Sequence, residues 1–171
     1  SREFWTPSEQ VLKRVREGLS IDYLFLFDID GTLLFTPTVH RNSFIAAFKE
    51  IFNIEINVDW QFYSGRTDSW IITDIAIKNG LNVEELNRKL TDVMNSMYKW
   101  YSENVKDEDG TVIEGVPEFL KMIDEHGYLR GLVTGNVEGI AYEKTKFYKL
   151  EKGFALGGFG NEHIMRDELL K

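Results

Sequence analysis

The chain contains no cysteine, so neither a disulfide framework nor thiol chemistry is open to it, and a reducing compartment, the cytoplasm by default, suits its composition. No apolar run approaches the roughly 18 residues of a membrane span. The opening residues, SREFWTPSEQ, lack the basic stretch and apolar core of an export signal. Basic residues are in the minority. Against 28 Asp and Glu stand 20 Lys and Arg, a formal net charge of -8, which argues against a nucleic-acid backbone or an anionic membrane surface as partner. Any anion it binds must be held locally. Internal repeats and low-complexity segments are also absent. What remains is an ordinary globular composition: 171 residues, 43% hydrophobic, enough for a substantial core in one domain or in a domain carrying an insertion.

Along the chain, Thr6-Pro7-Ser8-Glu9 has the form of a capping box with proline at the first helical position. Val11, Leu12, Val15 and Leu19 follow at helical spacing, predicting an N-terminal helical extension over residues 1–20 whose apolar face packs on the body or on a partner. Leu24 to Leu34, LFLFDIDGTLL, begins as a buried strand and then sets two aspartates on its end. After them the period is helical for a long way. Phe44, Phe48, Ile51 and Phe52 form one stripe, Trp70 to Ile77 a second, and a third opens at Asn82 and repeats through Val83, Leu86, Leu90, Val93, Met97 and Tyr101. Strand character returns at Leu129 to Thr134, after a helix started by Gly115-Val116-Pro117 and closed near His126-Gly127. A third short strand is expected around Phe154 to Leu156.

Strands alternating with helices predict an α/β fold, a Rossmann-like parallel sheet with helices on both faces. The connection between the first two strands far exceeds the dozen or so residues a crossover needs. The excess reads as an all-helical module inserted at residues 36–111, with the core formed by 21–35 and 112–171.

Ligands of an open parallel sheet collect beyond the carboxyl ends of its strands, where Asp28 and Asp30 stand. Side chains alternate along extended backbone, so the two carboxylates can face one pocket, and a hard cation such as Mg²⁺ would offset their repulsion. Gly31 permits a sharp turn, and Thr32 adds a hydroxyl and a backbone N–H. A lone Asp-Gly-Thr is a common turn. An apolar strand running into Asp28-Ile29-Asp30-Gly31-Thr32 is far more specific, and on it the chain resembles the haloacid dehalogenase superfamily of phosphoryl-transfer enzymes.

The resemblance implies a role for each residue. Asp28 would attack phosphorus and form an aspartyl-phosphate. Asp30 would protonate the leaving oxygen and later take a proton from the hydrolytic water. Mg²⁺ would be held by Asp28 and by Asp30 through its backbone carbonyl. Leu132-Val133-Thr134-Gly135-Asn136 matches the second motif: Thr134 and neighbouring N–H groups, that of Gly135 among them, would bind phosphoryl oxygens, while Asn136 would contact substrate or cap the following helix. Lys144 fits the branch whose cation lies in that helix, with Lys146 and Arg166 as rivals. In the inserted module, Gly65-Arg66-Thr67-Asp68 is similar to a segment of phosphoglycolate-phosphatase-like caps, where Arg66 would read a second anionic group; a glycine turn with Thr67 or Asp68 as helix cap is the plainer alternative. His40 and Arg41, near the cap hinge, are weaker candidates and read as ordinary surface residues.

The resemblance covers nearly all of residues 21–171, but the fourth motif, Gly-Asp and a further acidic residue, has no counterpart. After Phe159-Gly160-Asn161 a helix is expected at Ile164 to Leu170. The core is therefore expected to stop short, with an exposed sheet edge open to association with a second copy. The leading expectation is a Mg²⁺-dependent phosphatase of a small phosphorylated metabolite. Two alternatives stand beside it. One is a phosphomutase of the same superfamily, disfavoured by Thr32 where those relatives more often have valine. The other is an inactive binding protein, motivated by the missing metal ligand.

Overall fold

The computed structural model describes residues 5–36, 38–107 and 110–161. The first helix, α1 (Glu9–Arg16), is capped by Ser8, whose side chain accepts from the Val11 N–H. The cap is thus Ser8 and not Thr6, and Pro7 lies outside the helix, bridged to Gly153. Val11 is buried, but Val15 is 58% exposed and Leu19, beyond the helix end, 50%. The expected apolar stripe therefore packs only in part. The segment is fixed instead by Trp5, which is buried, stacked on Phe159 with ring centroids 5.6 Å apart, and donates from Nε1 to Glu138 at 3.1 Å.

Strand β1 (Leu24–Phe27) leads, through the short β2 (Leu34–Phe35), into three helices: α2 (Val39–Phe52), α3 (Asp68–Lys78) and α4 (Val83–Asn104). The chain then returns through β3 (Thr111–Val112), α5 (Val116–Glu125), β4 (Leu129–Val133), α6 (Glu138–Phe147) and β5 (Phe154–Gly158). The main sheet has the order β1-β4-β5 and is parallel throughout, with Phe27 opposite Leu132. β2 and β3 form a separate antiparallel pair, Leu34 opposite Val112. That pair is not predicted from the sequence, because two residues are too few to display a period. It joins the two connections between the α/β core and the helical cap.

Two apolar cores follow from the periodicities. Phe44, Phe48, Ile72, Ile75, Val93 and Met97 pack the cap, and Val137 and Ile140 of the neighbouring segment join them. Ile29, Leu132 and Phe154 pack with Leu120 of α5 and Ala141 of α6 on one side of the main sheet. On the other side Leu24, Leu26 and Leu156 stay 42–47% exposed. The expectation of helices on both faces therefore fails among the described residues; β1 is an edge strand with one wet face. No helix among the described residues is long and apolar enough to cross a membrane.

Trp5 carries the main anchorage of the N-terminal segment to the core. Trp5→Ala should lower stability by about 3 kcal/mol, read from the urea midpoint; a loss below about 1 kcal/mol would mean that the segment contributes little to the fold.

Candidate active site

β1 and β4 end side by side, so the residues that follow them meet at one edge. Ile29, fully buried, anchors the loop between two acidic neighbours, and Gly31 at φ +81° reverses it, its N–H donating to Leu34 O at 2.8 Å. Asp28, Asp30 and Gly31 thereby face a cavity of about 640 Å³, walled on the other side by Gly135, Asn136 and, from the cap, Arg66. Aromatic rings of Phe44, Trp60 and Tyr63 complete the cap wall. Thr32 is exposed, and its backbone N–H is committed to the Ile29 carbonyl at 3.2 Å. The turn thus consumes the N–H that the sequence reading gave to the ligand.

Lys144 is fully buried on α6, and its hydrogen bonds go to Asp30 Oδ1 at 2.7 Å, Asp30 Oδ2 at 2.8 Å and His40 Nδ1 at 3.1 Å. Asp30 Oδ1 also accepts from Thr36 Oγ1 at 2.6 Å, and Oδ2 from Asn136 Nδ2 at 2.7 Å. Burial alone would raise the proton affinity of Asp30; the Lys144 ammonium, with the Thr36 hydroxyl behind it, outweighs burial and holds the carboxyl well below the usual carboxylate range. Asp30 is thus the ionised form here. The rival Lys146 is half exposed beside Glu143, and Arg166 lies outside the described residues.

Asn136 does not cap α6, whose N-cap is Val137 with no side-chain cap bond. Its amide bridges Asp30 and the Thr134 hydroxyl, the latter at 3.1 Å. Thr134 is buried at the end of β4, with its N–H on Gly158 O at 3.1 Å. Its hydroxyl oxygen accepts from Asn136, which leaves the hydroxyl hydrogen free to donate. Asp28 accepts from the Ile29 N–H at 2.8 Å and lines the cavity.

The cap loop contributes more than the sequence indicated. Thr67 does cap α3, accepting from the Trp70 N–H, while the Arg66 guanidinium lies 4.8 Å over the Trp70 ring. Asp68, next to that cap, is buried and binds the Val137 N–H at 2.8 Å and His40 Nε2 at 3.0 Å. His40 is therefore no surface residue; its side chain is only 12% exposed. Nothing local marks it or Thr36, since their partners come from distant segments. Arg41 is exposed at the cavity wall, in keeping with the sequence reading.

Magnesium, which the resemblance implies, fits this donor set through the Asp28 carboxylate and the Asp30 backbone carbonyl, both hard oxygens. The Asp30 carboxylate is a poorer ligand, since each of its oxygens already accepts from two donors. Among the described residues no cluster of three or more acidic or histidine side chains is poised for a metal. Mg²⁺ needs only one or two protein oxygens and keeps several waters.

The sequence pattern of the haloacid dehalogenase-like hydrolases matches residues 25–156. No curated protein sequence matches the chain. Among solved structures it is similar to a predicted phosphatase from Clostridium acetobutylicum, with 16% identity, a TM-score of 0.61, and coverage of 88% of this chain and 68% of that one. A hydrolase from Pseudomonas syringae is similar at 15% identity and a TM-score of 0.59, covering 84% of this chain and 64% of that one. A predicted phosphoglycolate phosphatase from Haemophilus somnus gives 18%, 0.55, 84% and 64%. Identities this low speak for the fold alone, and the chain spans about two thirds of the length of these proteins.

Removing Asp30, itself partly exposed, strands the fully buried Lys144 ammonium. Asp30→Asn should therefore cost about 3 kcal/mol at pH 7 in urea denaturation. Because the folded carboxyl titrates below its unfolded value, Asp30 stabilises the fold above about pH 4 and loses that contribution progressively as the pH falls from the unfolded value toward the folded one. The gap between variant and wild type should narrow in acid; a gap that is constant down to pH 2.5 would refute the pairing.

Proposed function

The chain belongs to the haloacid dehalogenase-like hydrolase family, and we propose that it is a Mg²⁺-dependent phosphatase acting on a small phosphorylated metabolite. The observation that carries this reading is the convergence of Asp28, Asp30 and Arg66 on one cavity, with a fully buried lysine clamped on Asp30. In the proposed reaction a carboxylate oxygen of Asp28 attacks phosphorus, and the bond from phosphorus to the ester oxygen breaks. The departing oxygen takes a proton from Asp30 and leaves as an alcohol. Water then attacks the aspartyl-phosphate, giving its proton to Asp30, and inorganic phosphate departs as the Asp28 carboxylate is restored.

The ionised Asp30 described above is the form that takes a proton from water. For the first half-reaction it must be protonated, and an incoming phosphate, an anion arriving close by, raises its proton affinity against the pull of Lys144. By the resemblance the hydroxyl of Thr134, fully buried behind the cavity wall and hydrogen-bonded to Asn136, would bind a phosphoryl oxygen, and Mg²⁺, when bound, would neutralise charge between Asp28 and phosphate. Arg66, on the cap side, is suited to a second anionic group on the substrate, and closure of the cap would exclude water.

Release of 4-nitrophenol from 4-nitrophenyl phosphate tests the reading. Wild type should turn over only with Mg²⁺, and Asp28→Asn should reduce kcat by about a thousandfold or more. Turnover that is absent, or that survives Asp28→Asn, would remove hydrolysis and leave a binding protein on this fold.

A further inference from the structure

The link between cap and core runs through His40, which the reaction above does not use. His40 lies in the first turn of α2, its ring 5.4 Å from that of Phe44 and edge-on to Tyr101 of α4 at 6.2 Å. Those rings fix its plane. Nδ1 lies 3.1 Å from Lys144 Nζ and Nε2 3.0 Å from Asp68 Oδ2. An ammonium has only hydrogens to give, so Nδ1 must be the accepting nitrogen. The hydrogen of the neutral ring is then on Nε2, where the Asp68 carboxylate accepts it. A doubly protonated ring would set an N–H against the ammonium with no bond between them. One tautomer satisfies both contacts.

The circuit closes on itself. Asp68 Oδ2 also takes the Val137 N–H at 2.8 Å, at the start of α6, the helix that carries Lys144. From α6 the chain of bonds passes through Lys144, His40 and Asp68 and returns to α6. Lys144 and Asp30 belong to the core segments, His40 and Asp68 to the cap helices α2 and α3.

We propose that His40 is a positioning residue for the active site, its catalytic consequence resting on the phosphatase reading above. Held as the Nε2–H tautomer by Asp68, it accepts one hydrogen of Lys144 through Nδ1 and so aims the other two at the two oxygens of Asp30. Without that acceptor, a fully buried ammonium is left with an unpaired hydrogen, which such a group tolerates poorly, and the fork on Asp30 loosens. A seated cap is then a condition for a correctly partnered Asp30.

Two measurements on the intact chain test this. The first needs no activity. With only 3 histidines in the sequence, nitrogen-15 NMR of histidine-labelled protein resolves each ring, and the signal missing in His40→Gln identifies His40. It should be the Nε2–H tautomer at pH 7.5, and Lys144→Met should move its Nδ1 resonance toward that of an unbonded nitrogen. An Nδ1–H tautomer, or an Nδ1 indifferent to Lys144→Met, overturns the proposal whatever the enzyme does.

The second is kinetic. With 4-nitrophenyl phosphate and Mg²⁺, His40→Leu should lower kcat by about tenfold or more while KM changes less than about threefold. His40→Gln, whose amide offers one acceptor and one donor, should recover most of that loss, with the two variants melting within about 2 °C of each other. Equal losses in both variants, or a loss confined to KM, would make His40 a filler of the cap core and end the proposal. Inactive wild-type protein would count against the phosphatase reading alone, since the NMR result still decides the geometry.

Discussion

A lysine ammonium shut away from water organises this molecule. Lys144 has no exposed surface, and an isolated charge in such a place would be neutralised or expelled. It survives because both oxygens of Asp30 lie within 2.8 Å and the ring nitrogen of His40 within 3.1 Å. That requirement reaches outward in every direction. Asp30 must be carried to the lysine by the left-handed turn at Gly31, Asn136 and Thr36 must take up the remaining acceptor capacity of its carboxylate, and α6 must stand where its side chain can reach the end of β1. The pair is dear in desolvation and useful in specificity, in that it leaves one geometry for three separate stretches of chain.

Close approach of backbone to backbone completes the junction. The Asp68 N–H donates to Gly135 O at 2.7 Å, and the Gly160 N–H to Asn136 O at 2.8 Å. A methyl group on Gly135 would stand 2.4 Å from the Arg66 carbonyl oxygen, and one on Gly160 only 1.9 Å from that of Gly135. Three loops can meet beside the cavity because two of them present no side chain where they touch. Cap and core are thus fitted by steric necessity as well as by charge, and both sets of contacts lie within a few residues of the acids that face the cavity.

Much of the architecture was legible in the chain. The run of Leu24 to Phe27 into Asp28 and Asp30, the repeat through α4, the Asn82 cap and the return of strand character at Leu129 all correspond to elements of the structure, because each is a local period or a local cap. The β2–β3 pair was not legible, being too short to show a period, and neither was the bare face of Leu24, Leu26 and Leu156. An apolar strand reads the same whether one of its faces or both are covered. Asn136 read as a substrate contact or a cap because it precedes a helix; it lies on the cavity wall, and its amide nitrogen bonds Asp30 and Thr134 in place of capping α6.

The sequence by itself determined which chemistry is available: carboxylates at the end of a strand, a threonine at the end of the next, and a lysine on the helix beyond. Only the tertiary structure decided who pairs with whom, giving the lysine to Asp30, drawing His40 and Asp68 from the cap into the same network, and sending the Thr32 N–H into a turn. The physical reason is that backbone periodicity fixes where a side chain points within its own element, whereas a partner is chosen by how segments far apart in the chain pack, and that packing leaves no local signature.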